Sequence, residues 1–548
     1  MKRKILFSVS SICLLFASIS VHATNQPPNI VVLFSDDAGF HHISHYGGEV
    51  PTPNIDAIGQ NGVTFNQAIA PAAVCTPSRY SLMTGLYAGR NKSAEFLAEN
   101  PLDQPYNIAW NTFLTGKDTT MHQVMSQHGY YTGFVGKWHI TDHLTMDVPH
   151  LKGDEDLDSE VTDNLLKHHQ NKLAEHIKAM TKSDFVANVI AANNEEVPID
   201  KLKVHNPEWI TQGAMEFLDT VKGEKKPFFL LVASTNPHGP SAQKSLDMSP
   251  HYTPEGRIFA PTKYHPKRET IVERLKDAGL PVNHKTVSSV FLDDQVAAVQ
   301  TKLKEIGEAD NTVIIYLSDH NSEPGKATTY DAGVRIPMLV SWPGKITPGT
   351  INENVVQVTD VFPTALDIAN INHKLNLDGR SILPAILQNQ PMRDDVYLEM
   401  GWTRAVRTDR FKYIAFRYPA SVIQAMKSKN LSEAPNHLNI PTQGQPNVTM
   451  LHYPHYFDPD QLYDLHKDPK EQHNLANDPA YANVMANMKA RLAKYLARFE
   501  HPYDLEDTKF MKSEFFQSLS YKTLSKAEDR LPKWAKHVQW RIAPEHVK

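Results

Sequence analysis

Four near-continuous apolar runs, each breaking off into polar or charged residues, set the frame for this chain. Asn29-Ile30-Val31-Val32-Leu33-Phe34 runs into Ser35-Asp36-Asp37, and Tyr131-Thr132-Gly133-Phe134-Val135 runs into Gly136-Lys137-Trp138-His139. Phe228-Phe229-Leu230-Leu231-Val232-Ala233 runs into Ser234-Thr235-Asn236-Pro237-His238, and Thr312-Val313-Ile314-Ile315-Tyr316-Leu317 into Ser318-Asp319-His320. Runs without polar alternation suit strands covered on both faces, the usual state of parallel strands in α/β proteins. Helical stretches such as Met121 to Gln127 and Val290 to Ile306 lie between them. Open α/β sheets bind ligands outside the carboxyl ends of their strands. Four such ends here carry Asp, Lys and His, so one active site is expected at that edge.

The rest of the chain differs in texture. Asp147 to Asp200 is strongly charged, and Val161 to Lys182 within it reads as an amphipathic helix on a solvated surface insertion. From about Arg393, Val396 to Met400 and Arg404 to Ala415 read as antiparallel strands, Leu462 to Pro469 as a turn, and Pro479 to Phe499 as a helix. The expected organisation is a leader over 1–23, an α/β domain over 24–392, and a smaller C-terminal α+β subdomain with its tail over 393–548. The tail beyond Glu500 gives no pattern that places it.

Residues 1–23 read as a secretory signal: Lys2-Arg3-Lys4 is basic, Ile5 to Ile19 is apolar, and Val21-His22-Ala23 offers a cleavage site. A membrane anchor is disfavoured because that run is short and broken by serines. The expected location is secreted or periplasmic. Of 56 basic and 61 acidic side chains, three basic ones fall in the leader, which leaves a net charge of about −8. That argues against a nucleic-acid or general polyanion binder. The chain has two cysteines. Cys13 goes with the leader, so an exported protein would keep one thiol, Cys75, and no internal disulfide. Cys75 is then a chance survivor, a reactive site, or a precursor to something else.

The residues around it favour the last reading. The run Ala73-Val74-Cys75-Thr76-Pro77-Ser78-Arg79-Tyr80-Ser81-Leu82-Met83-Thr84-Gly85 resembles the signature of the type I, formylglycine-dependent sulfatases of the alkaline phosphatase superfamily. Gly129 to His139 resembles the second signature of that family. Asp36-Asp37, Asp319-His320 and Lys326-Ala327-Thr328-Thr329-Tyr330-Asp331-Ala332-Gly333-Val334-Arg335 follow in family order, so the resemblance runs from about Asn29 to Leu475. It implies a large mixed, mostly parallel sheet sandwiched by helices, and a secreted bacterial enzyme acting on a sulfated polysaccharide or oligosaccharide. It also implies oxidation of Cys75 to formylglycine by a maturation enzyme, the hydrated aldehyde being the nucleophile.

Paired acids at two strand ends suit a hard divalent cation. Asp36-Asp37 alone would read equally well as a strand-end turn; the second acidic end tips the balance. The residues do not separate Ca²⁺ from Mg²⁺, and the resemblance implies Ca²⁺ held by Asp36, Asp37, Asp319, His320 and the modified Cys75. Pro77 suits the first turn of a helix through Tyr80 to Leu86, which would set residue 75 at its positive end. By resemblance, Arg79 holds the hydrate, Lys137 and Lys326 bind sulfate oxygens, His139 serves as base, and His238 assists the leaving alcohol.

Three departures from the family pattern stand out. Ala332 replaces a frequent glycine, Asn321 stands where glycine is common and would tolerate a left-handed turn, and His41, His42 and His45 follow the acidic pair, where plain surface residues are favoured over a part in shaping the substrate pocket. Besides the sulfatase, a phosphonate or phosphate-diester hydrolase of the same superfamily and a carbohydrate-binding relative with a decayed site remain as alternatives.

Overall fold

Strands β1 (Asn29–Asp36), β2 (Gly62–Ile69), β3 (Tyr131–Lys137), β4 (Phe185–Ile190) and β5 (Phe228–Pro237) come first in the chain. A short hairpin of β6 (Tyr252–Thr253) and β7 (Gly256–Arg257) follows, then β8 (Thr312–Ser318), β9 (Arg335–Ser341) and β10 (Thr350–Gln357). The computed structural model describes residues 26–141, 156–194, 202–253, 256–258, 263–322, 324–428 and 452–520. The leader, the two ends of the charged stretch and the end of the tail lie outside the described residues.

Eight strands form one sheet in the order β10-β2-β9-β8-β1-β5-β3-β4. β9 runs antiparallel to both of its neighbours, and every other pairing is parallel. The carboxyl ends of seven strands therefore share one edge, and the chain enters β9 from that same edge. The central strand β1 shows why an unbroken apolar run was needed. Ile30, Val32 and Phe34 belong to the core on one face, with residues of helices Met121–Gln127 and Val361–Ile368. Val31 and Leu33 belong to the core on the other, with helices Pro53–Gln60, Pro207–Thr220 and His284–Glu305. Alternate side chains point to opposite faces, and both faces are dry. Burying each of these side chains stabilises the fold by roughly 1.5–3 kcal/mol.

A second sheet, antiparallel in the order β11-β12-β13-β14, joins Val396–Met400, Thr403–Arg407, Phe411–Phe416 and Asp460–Asp464. Met488 and Leu492 of helix Ala482–Leu496 cover one face. The other face packs on Ile69, Ala72 to Val74, Ala327, Tyr330 and Val334, which lie on the loops at the carboxyl edge of the large sheet. Met511, Phe516 and Leu519 of the tail join the same cluster.

The structure corrects several sequence expectations. The amphipathic helix is present over Glu160–Thr181, capped by Ser159, but it is not a solvated addition. Leu173 and Ile177 enter the main core, and the chain continues into β4, an edge strand of the large sheet. The five apolar positions in Phe185-Val186-Ala187-Asn188-Val189-Ile190 are interrupted by Asn188 and do not stand out beside the charged stretch. Leu462 to Asp464 are strand, paired with Phe411 to Tyr413, and the turn starts after them. The helix at residue 75 ends at Thr84, where Gly85 takes the left-handed cap. The helix expected from Val290 begins at His284, capped by Asn283.

Candidate active site

The chain turns sharply where strands meet the shared edge. Asp37, His139 and Ala327 have left-handed backbones (φ 67°, 57° and 64°), a conformation costing a non-glycine residue about 1–2 kcal/mol. Strain of this kind gathers at functional sites. Gly136, at φ 93°, brings Lys137 into the edge. A Cβ on it would lie 1.9 Å from the Ala233 carbonyl oxygen, so only glycine fits. Cys75 is the first residue of helix Cys75–Thr84, with Pro77 in its first turn. That terminus is tied to β8, because the Ser78 hydroxyl donates to the Asp319 carbonyl at 2.6 Å.

These turns bring the predicted site residues into one buried cluster. Cys75 Sγ lies 3.5 Å from Asp36 Oδ1, 3.4 Å from His320 Nε2 and 3.8 Å from Lys137 Nζ. Lys137 Nζ donates to Asp36 Oδ2 at 2.5 Å, and Lys326 Nζ to Asp37 Oδ2 at 2.6 Å. Arg79 reaches Asp36 and Asp319 at 3.3 Å each and donates to the Lys137 carbonyl at 2.9 Å. In this arrangement Arg79 braces three strand ends. The Asp319 carboxylate accepts the backbone N–H groups of Asp37 and His320. His238 Nε2 stands 3.9 Å from Asp37 Oδ2, and His139 is buried with no hydrogen-bond partner at Nδ1 among the described residues.

The donor set fits a divalent cation. Asp36, Cys75, Asp319 and His320 each offer one ligand atom, all within 4.8 Å of one another, and Asp37, Cys75 and His238 form a second such group. Asp37 Oδ1 is buried without a hydrogen-bond partner among the described residues, although His320 Nε2 stands 3.0 Å away. Three buried carboxylates at one point need positive charge nearby. An oxygen-rich set of this kind suits Ca²⁺ or Mg²⁺.

Burial and charge set the protonation of the cluster. Burial would raise the pKa of Asp36, but Lys137 and Arg79 outweigh it and hold that carboxyl well below the usual range. Asp319 is pushed up by burial and by Asp36, against the pull of His320 and Arg79. Burial also pushes the Cys75 thiol up; Lys137 opposes this, while Asp36 and Asp319 add to it. As a plain thiol this side chain is a weak nucleophile. Burial, Lys137 and Arg79 keep His139 neutral. Burial favours neutral His238 as well, yet the Asp37 carboxylate outweighs it and lifts the pKa to about 10. One neutral and one charged imidazole thus occupy the same cluster.

Two further residues were not anticipated. Asn193 Oδ1 accepts from Lys137 Nζ at 2.6 Å; it follows β4, so recognising that strand would have pointed to it. His205 Nε2 donates to the carbonyls of His238 (2.7 Å) and Pro240 (2.8 Å), holding the loop that carries His238. No sequence signal marks it. The three histidines are not all surface residues: His42 is buried and its Nδ1 accepts from the Gly39 N–H, His45 bonds Thr64, and the His41 ring packs tilted against His42. Asn321 is not left-handed; its amide donates to the Arg335 carbonyl. Ala332 is accommodated, whereas Gly333 is required, since a Cβ there would lie 2.0 Å from the Gly325 oxygen.

Comparison with known proteins agrees with this geometry. The family model described as Sulfatase matches residues 28–371, and one described as N-sulphoglucosamine sulphohydrolase, C-terminal, matches 325–441. An ulvan-active sulfatase of Formosa agariphila is 27% identical over 475 residues, covering 84% of this chain and 78% of the relative. The human N-sulphoglucosamine sulphohydrolase is 26% identical over 517 residues, covering 87% and 91%. Among solved structures, a phosphonate monoester hydrolase of Agrobacterium radiobacter shares the fold with a TM-score of 0.55 at 18% identity, covering 86% of this chain and 96% of that one. With the first model spanning well over half its length, the chain belongs to the sulfatase family and is a sulfuric ester hydrolase.

Proposed function

We propose that the protein hydrolyses sulfate esters on a saccharide, with Cys75 as the precursor of a formylglycine nucleophile. The observation that carries this reading is the meeting of Cys75, at a helix N-terminus, with metal donors on one side and Lys137 on the other, all within 3.8 Å. Oxidised to formylglycine by a maturation enzyme, residue 75 supplies a hydrated aldehyde as the attacking group. A Ca²⁺ ion held by Asp36, Asp37, Asp319 and His320 supplies Lewis acidity there. Lys137 and Lys326 bind the non-bridging sulfate oxygens, turning from the carboxylates they now face. His238, held protonated by Asp37, gives its proton to the leaving alcohol. His139, held neutral by burial and its cationic neighbours, serves as the base when sulfate is released from residue 75 and the aldehyde is restored. Arg79 keeps Asp36, Asp319 and the end of β3 in register. The names of the relatives support a sulfated polysaccharide or its oligosaccharides as substrate.

The matching expectations for the whole chain are a leader over 1–23, a catalytic domain over 24–392, a C-terminal subdomain over 393–548, and a secreted or periplasmic location. No described helix is long and apolar enough to cross a membrane. The test is free sulfate released from a panel of sulfated algal and animal oligosaccharides, with Cys75→Ala as control. Release by the wild type alone supports the reading and identifies the sugar. Turnover of phosphonate monoesters or phosphate diesters with no sulfate release would reassign the site to phosphorus esters, and undiminished turnover by Cys75→Ala would remove the nucleophile assignment.

A further inference from the structure

Lys326 reaches the site from a loop that enters β9, not from a strand end. The inner side of this loop is fixed to the large sheet: the Ala327 N–H donates to the Ala73 carbonyl, and the Asn321 N–H to the Gly333 carbonyl, both at 2.9 Å. Its outer side is gripped by the small sheet. Lys412 of β13 donates to the Thr329 carbonyl at 3.0 Å and pairs with Asp331 at 2.5 Å and Glu471 at 2.8 Å. Arg407 of β12 forks onto both carboxylate oxygens of Asp331, at 2.9 Å each. Glu471 accepts the Asp331 N–H at 2.6 Å. Tyr330 stacks on Tyr453 with ring centroids 3.5 Å apart.

Two acids and two bases thus meet here, with Arg407, Lys412 and Glu471 buried and Asp331 nearly so. Well-packed apolar side chains would stabilise such a contact as well or better. What ions add is direction: charge-assisted bonds seize the N–H of residue 331 and the C=O of residue 329 at defined points. These are five and three residues from Lys326, and both follow the strained turn at Ala327. We propose that Arg407, Lys412 and Glu471 are positioning residues for Lys326, which makes the antiparallel sheet part of the sulfate-binding apparatus. The inference rests on the reading of Lys326 as a sulfate ligand.

The test is a double-mutant cycle in the full-length, matured enzyme, read as kcat/KM and as competitive inhibition by inorganic sulfate, well below the unfolding temperature. Lys412→Met, and the milder Glu471→Gln should Lys412→Met not fold, lower kcat/KM about tenfold through KM and weaken sulfate inhibition to match. In a Lys326→Ala background the same changes cost less than about twofold, because their target is gone. A tenfold loss in both backgrounds, or no loss in either, would overturn the clamp while leaving Lys326 in place. If Lys326→Ala by itself alters neither kcat/KM nor sulfate inhibition, the sulfate-ligand reading falls, and the clamp with it.

Discussion

The two sheets place their chemistry differently, and the reason is strand direction. In the large sheet seven strands point the same way, so their carboxyl ends meet at one edge and Asp36, Lys137, His238 and Asp319 converge without further arrangement. In the small sheet neighbouring strands alternate, and their ends fall on opposite sides. Arg407 and Lys412 act instead as a cross-strand pair at one end of the β12–β13 hairpin, through side chains on a face. A parallel sheet gathers functional groups at an edge; an antiparallel one offers a surface that can hold something else in place.

The strongest way to break this contrast is at the edge itself. Cys75→Ala is expected to lower sulfate release by at least about 10³-fold with an unchanged thermal midpoint, measured by ion chromatography and calorimetry. Next comes Gly136→Ala. The added Cβ meets the Ala233 carbonyl, so both activity and stability fall, by about 10²-fold and about 3 kcal/mol. A variant as active as the wild type would mean that Lys137 needs no such entry angle. Chelation with EDTA followed by dialysis should abolish activity and lower the thermal midpoint, and Ca²⁺ should restore both. At a metal concentration 100-fold above Kd the bound ion stabilises by roughly 2.7 kcal/mol. The midpoint of Asp331→Asn, altered in the clamp, should fall as well, yet still respond to Ca²⁺.

The smallest effect concerns pH and lies away from the edge. His122 is buried, with its ring edge-on to Phe229 and Nε2 3.2 Å from the Gly133 carbonyl, and burial lowers its pKa to about 4. The unfolded chain has the ordinary value near 6.5. The unfolded state therefore binds the proton first on acidification. The stability contribution is complete above pH 6.5 and is lost as pH falls toward 4, by at most roughly 3 kcal/mol. His122→Phe should match or slightly trail the wild type at pH 7.5 and exceed it at pH 5 in urea unfolding. Equal pH dependence for the two proteins would remove His122 as a source of acid sensitivity.

How much of this could be read from the chain follows from the same physics. The four central strands are visible because burial on both faces demands unbroken apolar runs. β4 is hidden because Asn188 breaks its apolar run and a charged stretch surrounds it, and Asn193 is hidden with it. Leu462 to Asp464 were taken for a turn because three residues of a short strand carry little pattern. Asp36, Lys137, His139, His238 and Asp319 were legible from position alone, at the ends of those runs. Lys326 was legible only by resemblance, since it precedes a strand and the rule about carboxyl ends passes over it. The clamp was invisible: Asp331 and Glu471 are 140 residues apart, and no local pattern relates them.

The reversed direction of β9 also bears on when the site comes into being. Asp37 and Lys326 are separated by 289 residues, and Arg407 and Gln67, joined beneath the same loop, by 340. Contacts of such range form late, because loop-closure entropy must be overcome before they reward the chain. During synthesis the acidic pair, the residue at 75 and Lys137 all leave the ribosome long before Lys326, and the clamp strands follow later still. A growing chain thus carries the acidic pair, Arg79 and Lys137 through a long stretch of synthesis, and gains Lys326 only once most of the large sheet has been made.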